Sequence, residues 1–190
     1  MKKVCILQGS PRKNGNTNRL LVPFMEELKA AGHECVTFDL HSMHPEPCVA
    51  CRCCQKDWTA FNCSRKDELG RVFDAVLACD LLVLATPIYS WFCTPPMKTA
   101  LDRLVYGMNK IYGNEPGPYL WEGKSVALFI TCGYRPERGA DLFEEAMKRY
   151  CKHSRLNYVG MLVERHRNYN TEFMDAEKEA HARAFAREVV

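Results

Sequence analysis

The feature that most restricts this chain is an alternation. Short, continuous apolar runs take turns with segments whose apolar residues recur at helical spacing. The first run covers residues 2–8 and leads into Gly9. Unbroken apolar character over that length suits a strand buried on both faces, as in a parallel sheet. "NTNRLLVPFMEELKAAG" (16–32) follows, with Leu20, Leu21, Phe24, Met25 and Leu28 at helical spacing and Gly32 as a C-terminal stop. Pro23 is awkward there: it belongs in the first turns or forces a kink. "HECVTFDL" (33–40) reads as a second strand.

A cysteine-rich segment then interrupts the pattern, which resumes with a helix over 67–80 and a third buried strand over 81–89. "TPPMKTALDRLV" (94–105) predicts a helix with Thr94 as N-cap and Pro95 at its first position. A fourth strand (125–131), a helix (140–151), a fifth strand (156–164) and a final amphipathic helix from Thr171 complete the series. "YGNEPGPYLWEG" (112–123) is the longest turn-rich stretch and reads as a surface loop. Buried strands alternating with helices imply an α/β domain over 1–190, a doubly wound five-stranded parallel sheet with helices on both faces. The ligand crevice of such a sheet lies at the carboxyl ends of strands one and three.

Composition narrows the function classes. The chain has 190 residues, 47% of them hydrophobic, enough for one sizeable core. A net charge of +3 falls short of a nucleic-acid-binding signature. No stretch approaches the apolar length of a transmembrane helix. The apolar run after Lys2 and Lys3 is too short for a signal peptide. Eleven cysteines without a secretion signal then predict a reducing, cytoplasmic setting, where clustered thiols bind metal or do redox chemistry.

The loop after strand one is "GSPRKNGNT" (9–17). It joins a buried strand to a helix N-terminus, where free amides favour an anion. Ser10, Asn16 and Thr17 add neutral donors, and Arg12 and Lys13 add charge. Its glycine spacing is neither that of a Walker A loop nor that of a dinucleotide fingerprint, so a single phosphate is the expected ligand. Across the crevice, "ATPIYSWFCTPP" (85–96) offers backbone groups beside Tyr89, Trp91 and Phe92, a flat surface for a flat ring. Trp91 and Phe92 read equally well as core or dimer-contact residues. "TCGYRPERG" (131–139) closes a third side through Thr131, Cys132 and Gly133, or is an ordinary turn. The six histidines, His33, His41, His44, His153, His166 and His181, are scattered and read as surface or local structure.

With "GSPRKNGNT", "TPIYSW" and the Cys-rich insert together, the chain resembles the NADPH-dependent FMN reductase family, and especially its iron–sulfur flavoprotein branch. The resemblance implies a flavodoxin-like sheet of order 2-1-3-4-5. It implies that Ser10, Arg12, Asn16 and Thr17 hold the phosphate of FMN. Pro87, Ile88, Tyr89, Ser90 and Trp91, with Gly133, would then hold the ring system. NAD(P)H as co-substrate and a homodimer or homotetramer follow from the same likeness. Hydride transfer to a flavin needs no side-chain acid or base, so no catalytic residue is expected.

The insert "CVACRCCQKDWTAFNC" (48–63) contains Cys48, Cys51 and Cys54 in C-x2-C-x2-C spacing, with Cys63 as a fourth thiol and Cys53 as an extra one. That spacing suits three corners of a [4Fe–4S] cubane, and the iron–sulfur flavoprotein branch is similar. The last gap is longer than the usual pattern of that branch. A metal-free lid at a subunit contact, zinc, or a redox disulfide are the alternatives. Cys5, Cys35 and Cys79 read as small core residues. The function expected is an FMN-dependent oxidoreductase that passes electrons from NAD(P)H to flavin, quinone or another small acceptor. The alternative is an electron carrier fed by a ferredoxin-like donor.

Overall fold

The computed structural model describes residues 1–168 and 170–190. Five parallel strands, β1 (Lys3–Gln8), β2 (Glu34–Asp39), β3 (Leu81–Pro87), β4 (Ser125–Cys132) and β5 (Asn157–Arg165), form one sheet in the order β2-β1-β3-β4-β5. The helices are α1 (Asn16–Ala30), α2 (Leu40–Met43), α3 (Leu69–Ala78), α4 (Pro95–Met108), α5 (Pro136–Gly139), α6 (Asp141–His153) and α7 (Ala176–Glu188).

Successive strand residues face opposite layers. Val4, Ile6, Leu81, Val83, Ala127 and Phe129 pack with Leu20, Phe24 and Leu28 of α1 and Phe185 of α7. Cys5, Leu7, Leu82, Leu84, Val126, Leu128 and Ile130 pack against α3, α4 and α6 on the other side. Two covered faces explain why β1, β3 and β4 are apolar without alternation. β2 and β5 are the sheet edges and are less buried. Together this is the doubly wound, flavodoxin-like arrangement.

Helix α1 ends as its glycine requires. Gly32 sits at φ +79°, its amide donates to the Lys29 carbonyl and the His33 amide to that of Leu28, both at or below 3.0 Å. That is the Schellman pattern of C-terminal bonds. Pro23 lies inside α1, beyond its first turn, and is buried.

One expectation is refined and one needs correction. Thr94 is the N-cap residue of α4 and Pro95 its first residue, as the sequence predicts, but the Thr94 hydroxyl makes no capping bond. It donates instead to the Gly9 carbonyl at 2.7 Å, tying the loop after β1 to the loop after β3. The stretch 112–123 is not wholly a surface loop. Trp121 is fully buried in it, its indole N–H bonded to Asn109 Oδ1 at 2.7 Å and its ring edge-on to Tyr150. A large apolar ring with a satisfied N–H is more stable inside than exposed, whatever turn residues surround it.

Candidate active site

The carboxyl ends of β1, β3 and β4 converge on one cleft. The Gly9 amide donates to the Ala85 carbonyl at 2.8 Å and the Ile88 amide to Thr131 at 2.9 Å, fixing the three loops side by side. The cleft is lined by Ser10, Arg12, Gly15, Asn16, Thr17, Pro87, Ile88, Tyr89, Thr131, Cys132, Gly133 and His166. The four residues expected to hold a phosphate are all present, as are Pro87, Ile88, Tyr89 and Gly133. Ser90 and Trp91 are not part of this lining.

The phosphate end is built by backbone shape. Helix α1 begins after Gly15 with no side-chain cap and no acidic residue in its first turn. Such an end carries free amides and a partial positive charge. Ser10, only 6% exposed, lies 3.3 Å from the Arg12 amide through its hydroxyl oxygen and so shapes the turn. Thr17 and Thr131 hydroxyls meet at 2.7 Å across the floor. The loop has no spare room at its glycines. A Cβ on Gly15 would stand 2.8 Å from Arg12 Cβ, and one on Gly9 2.8 Å from Thr94 Oγ1. These donors, and a cradle that a single methyl group would fill, fit a phosphomonoester.

The ring end differs from the sequence reading. Residues 89–92 form a tight turn in which Tyr89 and Phe92 exchange backbone bonds at 2.8 and 3.0 Å. Ser90 and Trp91 both have positive φ, 47° and 64°, as a type I′ turn demands. Glycine or asparagine normally fills those positions, so the turn is strained, as functional loops often are. Trp91 stacks on Tyr134 at 5.7 Å and donates to the Arg138 carbonyl at 3.0 Å. It thereby joins the loops after β3 and β4 at the rim. The cleft encloses about 140 Å³, below the roughly 300–1,000 Å³ of pockets that engulf a whole cofactor-sized ligand. The enclosed part has room for a phosphate and a short tether rather than for a whole ring system. Tyr89, Trp91 and Tyr134 are exposed at or near that rim.

His166 is a site residue that sequence reasoning missed. It follows β5 and accepts from Asn16 Nδ2 at Nδ1, 3.0 Å, while Nε2 lies 3.1 Å from the Thr171 carbonyl. That pairing sets the Nε2–H tautomer and orients Asn16 at the helix entrance. Nothing near His166 in sequence signals this, because the contact spans 150 residues.

The Cys-rich insert lies after β2 and is seated on α4 and the chain just beyond it. Lys110, fully buried, donates to the carbonyls of Cys54 at 2.7 Å and Ala60 at 2.6 Å. Gln55 donates to Asn109 and accepts from the Tyr112 amide. Phe61 stacks on Phe73 of α3 at 4.7 Å. Arg103, also buried, bonds the Glu46 carbonyl and forms an ion pair with Asp67. Four non-glycine residues of this region, His44, Ala50, Arg52 and Asn62, hold left-handed conformations.

Cys48, Cys51, Cys54 and Cys63 all line one small pocket of about 20 Å³, with Arg65, Arg103 and Tyr106, and Cys53 does not line it. All eleven cysteines are free. Among the described residues, no three His, Cys, Asp or Glu side chains form a ready single-ion site. A cubane makes a different demand: one thiolate per iron, from four points around it. The donor set fits that demand in kind. Two residues that line this pocket, Arg65 and Arg103, each have a buried Nε with no hydrogen-bond partner among the described residues. Of the residues read as core thiols, Cys5 and Cys79 are buried and Cys35 is half-buried. Burial pushes the Cys79 thiol up to about 11.

Cys51 is the exposed thiol of the set. A bond with the Ser64 hydroxyl at 3.0 Å, then contacts with Cys53, lower its pKa to about 7, whereas burial raises that of Cys54. In iron-free, fully reduced protein, iodoacetamide at pH 7 should therefore alkylate Cys51 well before Cys54. The thiolate is the nucleophile, so the Cys51 rate should rise through about pH 7 and level off above it. Peptide mapping by mass spectrometry checks this. Equal labelling of the two, or a Cys51 midpoint near the ordinary 9.0, would contradict the Ser64 assignment.

Comparison with known proteins agrees with this geometry. The profile of the NADPH-dependent FMN reductase family matches residues 2–161. An iron–sulfur flavoprotein of Archaeoglobus fulgidus is 31% identical over 151 residues, covering 78% of this chain and 63% of the relative. An iron–sulfur flavoprotein of Methanosarcina thermophila is 28% identical, covering 65% and 64%. The chain thus spans somewhat under two thirds of the length of these relatives. Among solved structures, an NAD(P)H:quinone oxidoreductase from Methanothermobacter marburgensis superposes with a TM-score of 0.73 at 18% identity, covering 98% of this chain and 92% of that one. The apo form of an NADH:FMN oxidoreductase gives a TM-score of 0.59 at 18% identity, covering 100% and 91%. These two likenesses concern the fold. From the match over residues 2–161, together with the phosphate cradle and the sheet order, the chain belongs to the NADPH-dependent FMN reductase family.

Proposed function

We propose that this protein is an FMN-dependent oxidoreductase that passes electrons from NAD(P)H to flavin, a quinone or another small acceptor. The observation that carries the reading is the uncapped N-terminus of α1 with Ser10, Arg12, Asn16 and Thr17, facing Pro87–Tyr89 across one cleft. Bound FMN would supply the hydride and electron chemistry, with the protein contributing position and electrostatics. Ser10, Thr17 and the α1 amides hold the phosphate, and Arg12 balances its charge. The Tyr89–Phe92 turn presents its backbone to the ring edge. The exposed aromatics at the rim are the natural cover for a second copy, so the active form is a homodimer or homotetramer.

The iron–sulfur reading has its own support, the four thiols gathered on one pocket. Cys48, Cys51, Cys54 and Cys63 would hold a [4Fe–4S] cluster and pass electrons between a ferredoxin-like donor and the flavin. In the described residues no helix is long and apolar enough to cross a membrane.

The test is anaerobic. FMN-loaded protein should oxidise NADPH or NADH when a quinone is supplied, and should lose that activity when FMN is stripped. Reduction of bound flavin by reduced ferredoxin, with neither nicotinamide active, would replace this reading with the carrier. Ser10→Ala should weaken FMN about 10- to 150-fold, the equivalent of the roughly 1.5–3 kcal/mol of one hydrogen bond to a charged acceptor. Riboflavin, which lacks the phosphate, should bind the variant and the parent alike. Fluorescence titration measures both, and an unchanged FMN affinity would remove Ser10 from the site.

A further inference from the structure

The thiol pocket contains a feature that the thiols do not explain. Arg103 projects from α4 with a side chain only 1% exposed. Its terminal nitrogens are used: one bonds the Glu46 carbonyl at 3.1 Å and pairs with Asp67, and the other lies 3.4 Å from the Arg65 carbonyl. Its Nε has no acceptor among the described residues. A buried donor left unmade carries its full desolvation penalty, so native proteins seldom keep one without a missing acceptor. Arg103 lines the same pocket as the four cysteines, Cys63 among them. Phe61 covers the guanidinium, 5.6 Å from its ring centre, so the charge is shielded from solvent.

From this arrangement we propose that Arg103 is a positioning residue for an iron–sulfur cluster in the thiol pocket. Its Nε–H donates to a sulfur there, either the Cys63 thiolate or an inorganic sulfide. Asp67 and the Glu46 carbonyl lock the guanidinium so that this donor stays turned to the sulfur. The inference rests on the reading that Cys48, Cys51, Cys54 and Cys63 bind such a cluster. A buried cation that donates to sulfur stabilises the more negative, reduced state and so raises the reduction potential. The same residue thus explains why an insert of thiols is anchored by an arginine inside the protein rather than left on the surface.

The experiment uses full-length protein reconstituted anaerobically with ferrous iron and sulfide, and FMN. Iron, sulfide and flavin are counted first. The cluster is then titrated with dithionite, which supplies the single electron that takes it from the 2+ to the 1+ state. In Arg103→Lys the charge remains but the Nε–H is gone. Iron and sulfide should stay at the parent level, and the reduction equilibrium should fall tenfold or more, about 59 mV for one electron. In protein grown with ¹⁵N-arginine, the reduced cluster should show a ¹⁵N coupling in electron–nuclear double resonance. Arg103→Lys should lose that coupling and Arg65→Lys, which removes the other unpaired Nε, should keep it. If Arg103→Lys does not retain iron, the ¹⁵N coupling of the parent and of Arg65→Lys decides alone.

Full iron with an unchanged potential and no arginine coupling would reduce Arg103 to a structural strut and overturn the proposal. Loss of the coupling in Arg65→Lys would overturn it in favour of the neighbour. Bound FMN with no iron or sulfide after reconstitution would sink the cluster reading itself, a result separable from the other two.

Discussion

Arg103→Met should lower the unfolding free energy by about 3–5 kcal/mol, the usual effect of removing one partner from a buried ion pair. The loss does not come from the arginine's own contacts alone. Methionine fills much of the same space, but Asp67 stays behind, largely buried and without its cation. The carbonyls of Glu46 and Arg65 lose their donors at the same time. Because these partners lie at both ends of the insert, the insert should come loose before the sheet does. Limited proteolysis should therefore cut between about residues 46 and 65 in the variant, and urea unfolding should show the lower stability. A variant within 1 kcal/mol of the parent would mean that the pair is idle. Asp67→Asn combined with Arg103→Met removes both charges and should recover a good part of the loss, since no uncompensated carboxylate remains.

The same pair gives a pH signature. Burial raises the pKa of Asp67, but the hydrogen bonds from Arg103 and from the amides of Glu46 and Leu69 outweigh it and hold the carboxyl below its ordinary 3.8. A carboxyl lowered on folding contributes stability that is complete above its unfolded pKa and is lost as pH falls through the folded one. The parent should therefore be insensitive here at neutral pH and lose this contribution only in acid, below about pH 4. Asp67→Asn should flatten that part of the acid limb.

Gly15→Val should weaken FMN by about 3–6 kcal/mol, the sum of two hydrogen bonds to a charged acceptor. The reason is steric and local. Even a lone Cβ at this position meets Arg12 Cβ at 2.8 Å, the Arg12 carbonyl at 3.1 Å and Ser10 Oγ at 3.3 Å. Two of those contacts are with the first carbon and the backbone of a neighbour, which cannot swing aside as a side-chain tip can. The turn must open, and the α1 amides and Ser10 then no longer converge on one phosphate. The fold should survive, because Gly15 lies outside both hydrophobic clusters. Circular dichroism should match the parent while FMN titration falls off by at least a hundredfold. Unchanged FMN affinity would show that the phosphate binds elsewhere.

How much of this could be read along the chain depended on the range of the interactions. Unbroken apolar runs placed β1, β3 and β4, because a strand covered on both faces has no polar side to show. Gly32 marked the end of α1 through bonds within its own last turn. The phosphate loop was legible for the same reason, since strand, turn, glycine and helix start are neighbours in sequence. Cys48, Cys51, Cys54 and Cys63 were also legible as a group, and the structure sets them on one pocket with Cys53 outside it.

What the chain concealed lies in contacts between distant segments. Thr94 was legible as the N-cap of α4, but not the bond that its hydroxyl donates to the Gly9 carbonyl, 85 residues away. Trp91 had the type and position of a ring-binding aromatic, yet a tight turn directs it onto Tyr134 and the Arg138 carbonyl. Trp121 was masked by the turn residues around it, although Asn109 and the core provide what a buried indole needs. His166 reaches Asn16 only once β5 has been laid beside β4. Nothing in the sequence around Arg103 and Lys110 marks either as buried, and it is the insert folded over them that makes them buried anchors. The sequence by itself determined the layers and the chemistry carried by two short motifs, which follow from local pattern, while the strand order came from the family resemblance that those motifs carry. Only the tertiary structure decided which side chains meet across the cleft and under the insert, because burial and hydrogen-bond partners belong to neighbours in space.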